Sequence, residues 1–287
     1  MMERKIISIK NAKKIFSIDF YKYNFSRVFT IAQKNLKVQL RFKFNLIYSI
    51  LSPFLLIFLS IVVLWRFFNM GAQFGQWDNT NYYIFLFIAF NIELLRRITQ
   101  DFPNDFIQEK YWKTIPALII APFNKLHLLL GIFFSHLIIV AIPFIIFFIL
   151  TYLIYPISII TIIFIIIIYL LIDLIFSGIG LFLAVFAISE ENYWRIFTIG
   201  IQIVFYISCI TYPFEMFPDF IQLVILINPF YYIFDVLRMT WIDDNVLITM
   251  TNYPFHFTIL VVCAIVIPLI SIYVFKLIYN KFGIMGY

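Results

Sequence analysis

The 287-residue sequence predicts an all-α integral membrane protein: six transmembrane helices, an N-terminal amphipathic interfacial helix, and a re-entrant outer helical hairpin between spans five and six. Three observations predict it. Hydrophobic residues make up 63% of the chain and charged residues 13%, whereas a soluble domain carries about 25% charge. Apolar runs recur at the length of roughly 20 residues that crosses about 30 Å of hydrocarbon. Lysine and arginine gather on one side of those runs. Lipid offers the backbone no hydrogen-bond partner, so runs of this length are helical.

The elements follow in order. Residues 1–45 form a basic cytoplasmic segment. Within it, 24–43 place Phe25, Val28, Phe29, Ala32, Leu36 and Leu40 at helical spacing, with Arg27, Lys34, Lys37 and Arg41 on other faces. Such a helix lies in the membrane interface with its apolar stripe in lipid. The transmembrane domain covers 46–278, and 279–287 form a cytoplasmic tail. Spans one to six run from about Leu46 to Trp65, Tyr82 to Gln100, His127 to Leu150, Ile157 to Ile188, Arg195 to Tyr212 and His256 to Ile278. The second is the least apolar, interrupted by Glu93, Arg96 and Arg97. The fourth exceeds what a bilayer needs, so it tilts, projects into water or bends near Gly178 and Gly180.

Charge fixes the orientation. Eleven lysines and arginines lie between Arg4 and Lys43, against Glu3 and Asp19. Lys110, Lys113 and Lys125 follow between spans two and three, and Lys276 and Lys281 at the end. The opposite side carries Arg66 and Arg238 and is otherwise acidic, with Glu215, Asp219, Asp235, Asp243 and Asp244. The positive-inside rule puts both termini in the cytoplasm of a cell with this chain in its plasma membrane. The net charge of +6 is read as a lipid and topology signal, not as a nucleic-acid surface.

Several chemistries find no motif. Cys209 and Cys263 fall in apolar runs without disulfide or zinc spacing, and His127, His136 and His256 are scattered and read as structural. The long, polar, basic start lacks the pattern of a cleavable signal peptide. The eight glycines form no phosphate-cradling loop, so no nucleotide site is expected on this chain.

Two stretches carry more information. Between spans five and six lies TYPFEMFPDFIQLVILINPFYYIFDVLRMTWIDDN. Its apolar piece, Phe220 to Ile227, is too short to cross a bilayer. Tyr212-Pro213 ends span five, Pro218 and Pro229 suit the first turns of two short helices, and Asn228 suits the cap of the second. A hairpin that dips into the outer leaflet and returns is the expectation. Between spans two and three, Asp105 to Lys113 mixes charges with Phe106, Ile107, Tyr111 and Trp112, which suits a docking surface or an interfacial anchor.

At these two stretches the chain resembles the membrane subunits of ABC-2 type transporters, exporters of polysaccharides, lipids and drugs. In that family the first cytoplasmic loop commonly reads E-x-x-x-G-T-L-E-x-L-L-x-x-P. Here KTIPALIIAP keeps Thr114, Ile115, Leu118, Ile119 and Pro122 in register, with Lys113 for the glycine and Pro116 for the glutamate. The family's Y-P-x-x-x-x-P…N-P…R pattern is similar to Tyr212, Pro213, Pro218, Asn228, Pro229 and Arg238, and GIGLFLAVFA in span four also looks like the family. The resemblance covers nearly the whole chain. It implies a second permease subunit, the same chain or a close relative, and two separate ATPase subunits that bind ATP and magnesium. It implies that Phe106, Glu109, Tyr111, Trp112 and Thr114 dock on the ATPase, with SEENYWR (189–195) as a smaller contact and the basic helix flanking it. It implies an outer gate at the hairpin residues just named.

Charges within the spans are costly and count as functional candidates. Glu93 stands three and four residues before Arg96 and Arg97, the spacing of a local ion pair. Asp173 has no local basic partner and faces the pore, a partner subunit or a hydroxyl such as that of Tyr169. The expected function is therefore an exporter subunit, not itself an enzyme, that moves an amphiphilic cargo (a lipid-linked glycan, a lipid or a hydrophobic drug) outward. The alternative is an ion- or proton-coupled carrier using Asp173 and Glu93. An enzyme acting on lipid-linked sugars would rest on Asp243-Asp244 alone, which reads as a solvated loop.

Overall fold

The computed structural model describes residues 18–41, 43–71, 73–113, 125–189 and 191–282. Among them the chain is helical throughout, with a lone bridge between Phe74 and Trp77 and no strand. The helices are α1 (Ile18–Arg41), α2 (Lys43–Asn69), α3 (Tyr82–Arg96), α4 (Ile98–Tyr111), α5 (Lys125–Ile154), α6 (Ile159–Ser189) and α7 (Glu191–Tyr206). After a 3₁₀ turn (Phe214–Met216) come α8 (Asp219–Ile227), α9 (Pro229–Asp243), α10 (Val246–Asn252) and α11 (Pro254–Phe282).

Among the described residues, three segments are long and apolar enough to cross a membrane: Leu129–Ile154, Ile159–Ala187 and Pro254–Ile278. A fourth results if the bent pair α8–α9 counts as one span. Their outward faces are rows of Ile, Leu, Val and Phe, such as Ile138, Ile142, Ile145 and Ile149 on α5. Water-facing surfaces rarely carry apolar patches of this extent, and the arrangement is compatible with a membrane location.

The core is built around α6. It packs against α11, α4, α7, α9, α5 and α3. A 31-residue helix that packs against six others needs places where backbones approach closely, and small residues provide them. A side chain at Gly178 would meet the backbone of Pro268 on α11, and one at Gly180 would meet the Ile98 carbonyl and the Phe102 ring on α4. Two residues apart, these glycines open opposite flanks of α6. α6 runs as one helix from Ile159 to Ser189, without a break at the glycines, which sit at close contacts.

The chain's least apolar expected span turns out to be among its most enclosed elements. Twelve of the fifteen residues of α3 are buried, Glu93 and Asn91 included. At 1.5 Å per residue, α3 is only about 22 Å long, but α4 continues it past Arg97, whose backbone is itself helical. Span five is shorter than expected: α7 stops at Tyr206, and the chain turns through Cys209, which holds a left-handed φ of 57°.

The interfacial stripe of α1 divides. Val28, Ile31, Ala32 and Asn35 are buried, and α1 packs along α5, whereas Phe25, Phe29 and Leu40 stay exposed. Of the stripe expected in lipid, Val28 and Ala32 are therefore covered by protein, because α5 places Gly131 against Ile31 and the Val28 carbonyl. Residues 1–17, much of the basic segment, lie outside the described residues.

Candidate functional site

The hairpin motif assembles at one end of the bundle. Asn228 caps α9: its Oδ1 accepts from the Phe230 N–H at 3.1 Å, and Pro229 follows at the first helical position. Its Nδ2 donates to the Val204 carbonyl of α7 at 2.8 Å, so one amide both starts α9 and ties it to the end of span five. Pro218 stands immediately before α8, and Pro213, buried and extended, immediately before the 3₁₀ turn. Tyr212 packs half-buried on the core. α8 and α9 meet at 91°. Phe220, Leu223, Val224 and Ile227 of α8 are exposed, whereas Ile233, Phe234, Val236 and Leu237 of α9 are fully buried.

Arg238 is the hairpin's inner anchor. It is 2% exposed, and its Nη2 donates to the carbonyls of Cys209 (2.7 Å) and Ile210 (2.9 Å). These carbonyls lie just beyond α7, where a helix presents unsatisfied acceptors and negative dipole, so a cation is favoured there. The guanidinium stacks 4.0 Å over the Phe85 ring of α3. Asp235, one turn before, lies 3.3 Å from His256 Nδ1 on α11. Asp243-Asp244, the weak enzyme candidate, serves as loop ties: Asp244 Oδ1 accepts from the Ser158 N–H and Asp243 Oδ2 from the Thr249 hydroxyl.

The same end gathers the loop before α3. Gln76 Nε2 reaches Met239 Sδ, and Trp241 Nε1 donates to the Tyr155 carbonyl. Asp78 Oδ1 accepts from the Thr80 hydroxyl and from the N–H groups of Thr80 and Asn81. These donors, the Thr80 hydroxyl foremost, hold the Asp78 carboxyl below the usual carboxylate range.

The intramembrane charges resolve into pairs. Arg96 grips Glu93 through Nε and Nη2, at 2.8 and 2.6 Å. Arg97, expected to share Glu93, turns instead to Asp101, 3.4 Å away on α4. Asp173 does have a basic partner, from another helix: its Oδ1 lies 3.2 Å from Nδ1 of His136 on α5. Tyr169, one turn before Asp173, stands beside Asn91 of α3 and within the field of Arg238. The sequence reading treated His136 as structural and missed the pair, since 37 residues separate its members. The available signal was a histidine and an aspartate each alone in a long apolar run.

The residues expected to dock on an ATPase lie at the other end of α4. Tyr111 and Trp112 are exposed where α4 stops, at Lys113, which takes a left-handed φ of 57°. Phe106 does not join them: it is buried, its ring 6.2 Å from that of Phe275 on α11. Glu109 lies on the last turns of α4, and nothing further is described of its side chain. Thr114 and most of the KTIPALIIAP stretch lie outside the described residues, as does Glu190 in the smaller contact loop. Among the described residues, no group of three His, Cys, Asp or Glu could hold a metal ion.

The arrangement sets the tied α8–α9 pair at one end, exposed aromatics at the other, and paired charges between them along α3, α4 and α6. No family model matches the chain, and a comparison with curated proteins finds no match either.

Proposed function

We propose that this chain is the membrane-spanning subunit of an ATP-driven exporter that moves an amphiphilic substrate outward. In this reading α2, α3 with α4, α5, α6, α7 with the turn after it, and α11 are the six spans. The α8–α9 pair is a re-entrant outer hairpin, with the exposed apolar face of α8 in the outer leaflet. The chain lies in the plasma membrane with both termini in the cytoplasm. ATP and magnesium are bound by a separate ATPase subunit, and a second permease subunit, the same chain or a close relative, completes the path.

One observation carries the reading: α3 and α4 follow one another through the helical backbone of Arg97, with the hairpin anchor beside the first and exposed Tyr111 and Trp112 where the second ends. Arg238 stacks on Phe85 near the start of α3, and the aromatics project at the finish of α4. Exposed Tyr and Trp beside Lys110 and Lys113 suit a protein groove, and packed helices transmit a push better than a loop does. The charge difference agrees: lysines stand at the aromatic end, and Asp78, Glu215, Asp219, Asp243 and Asp244 at the hairpin end. Phe106 supports α4 from inside rather than meeting the ATPase itself.

The test is copurification. The tagged chain, gently extracted from its native membrane, brings down an ATPase subunit, and changing Tyr111 and Trp112 to glutamate abolishes that recovery while the chain stays folded. Transport that persists without any ATPase and follows an ion gradient would contradict it.

One observation favours the second reading, an ion- or proton-coupled carrier. Asp173 and His136 pair in the buried interior, whereas Glu93 is neutralised locally by Arg96 and offers such a carrier little.

A further inference from the structure

We propose that Asp173 and His136 form a proton-binding site inside the helix core, holding one proton that the pair can release and take up. The site goes beyond the exporter reading and stands whether or not an ATPase drives the chain.

The geometry carries it. The Asp173 side chain is 0% exposed and that of His136 3%, and they approach to 3.2 Å across the α5–α6 contact. Among the described residues, neither carboxylate oxygen of Asp173 and neither ring nitrogen of His136 has a hydrogen bond of proper geometry. The nearest hydroxyl on the same helix is spent elsewhere: Ser177 Oγ donates to the Asp173 backbone carbonyl. One turn before Asp173, Tyr169 Oη is also without a hydrogen bond, beside the equally unmatched Oδ1 of Asn91.

A static buried ion pair survives when further donors and acceptors complete both ions. Here those are missing, so full charge separation has little support. The two groups offer adjacent places for one proton, and moving it between them changes no net charge: carboxylic acid with neutral imidazole, or carboxylate with imidazolium. Release proceeds from the imidazolium. The proton lost to solvent leaves a carboxylate beside a neutral ring. Uptake is the reverse, and no other reactant is needed.

The groups around the pair leave it isolated. On the helices packed against α6, α3 carries Glu93, held by Arg96, and α4 carries Asp101, paired with Arg97 just before it, together with Asp105, Glu109, Lys110 and Tyr111. α7 carries Arg195, α9 carries Tyr231, Asp235 and Arg238, and α11 carries His256, Cys263, Tyr273 and Lys276. α5 carries His127 at its start and His136 itself. Of these, His136 is the group that approaches Asp173 within ion-pair distance among the described residues. A proton gained or lost here therefore changes the charge of the interior where α3, α5, α6 and α9 converge.

The experiment uses the full chain in lipid nanodiscs, stepped from mildly acidic to alkaline buffer. Infrared difference spectra follow the carboxylic acid band, and nitrogen resonances of labelled histidine follow the imidazole. The expected result is one titration seen by either probe, absent in Asp173→Asn and shifted in His136→Gln by about tenfold or more in proton concentration. A static structural pair gives no titration assigned to either residue. That outcome, or a titration that both variants leave unchanged, overturns the proposal. If Asp173→Asn fails to fold, His136→Gln alone decides between the outcomes. Failure here leaves ATPase copurification untouched, so the two proposals fail separately.

Discussion

Helices α3 and α5 invert what their sequences suggest. α5 is apolar on all sides, with exposed Ile138, Ile142, Ile145 and Ile149, and much of its surface meets no protein. α3, broken by Asn91, Glu93 and Arg96, is enclosed almost completely. A helix that faces lipid is held there by the lipid, and needs apolar side chains without specific partners. A helix inside the bundle keeps polar groups because neighbours can satisfy them: Arg96 for Glu93 on the same helix, and the rings of Phe85 and Phe205 for the cations of Arg238 and Arg96. Low hydropathy in a membrane chain thus marks the interior, where specific contacts and candidate chemistry collect.

The comparison breaks most visibly at Arg238, which ties α3 to the hairpin. Arg238→Leu leaves the carbonyls of Cys209 and Ile210 without their donor and Asp235 without its neighbouring cation. Leaving a buried acceptor without its donor costs about 1–3 kcal/mol, so the variant should unfold at a markedly lower temperature in nanodiscs or fail to accumulate. A stability equal to the parent's would mean that the anchor is not made.

A matched pair of truncations measures the inversion itself. Ile88 on α3 is fully buried, and Ile142 on α5 is 71% exposed. Ile88→Ala should cost about 2–5 kcal/mol as a core truncation, whereas Ile142→Ala should stay within about 0.5 kcal/mol, as surface substitutions do. Equal costs, measured by reversible unfolding in mixed micelles, would abolish the distinction.

Asn228→Ala removes the cap of α9 and the tie to Val204 together, and a lost cap alone costs about 0.5–2 kcal/mol. Faster hydrogen exchange over 229–232 and 204–208 is the expected sign, with α5 unchanged.

The smallest effect concerns the loop that leads into α3. The folded Asp78 carboxyl takes up its proton at lower pH than in the unfolded chain. Its contribution is therefore complete above the ordinary value near about 4 and is lost as pH falls through the depressed folded value. Acid should loosen residues 76–82, and Asp78→Asn should remove that pH dependence, as amide exchange would report.

The sequence revealed α5, α6 and α11 readily, because long apolar runs are a strong signal, and the Asn228 cap, because capping is local. The same locality made Glu93–Arg96 readable. Arg238 was singled out, but its acceptors lie 28 and 29 residues back at a turn made by a left-handed Cys209, a conformation that sequence does not announce for cysteine. His136–Asp173 escaped for the same reason: helix periodicity says which face a residue occupies, not which helix it meets. Phe106 was grouped with Tyr111 and Trp112 by proximity along the chain, whereas five or six residues along a helix separate a buried flank from an exposed end.

The most direct test is lipid photo-crosslinking of the unaltered protein. Phospholipids carrying a photoactivatable group in the acyl chain are incorporated around it, activated, and the adducts mapped by mass spectrometry. Dense labelling of Ile138 to Leu153 on α5 with none on Ile84 to Leu95 of α3 is the expected result; comparable labelling of the two helices would contradict it.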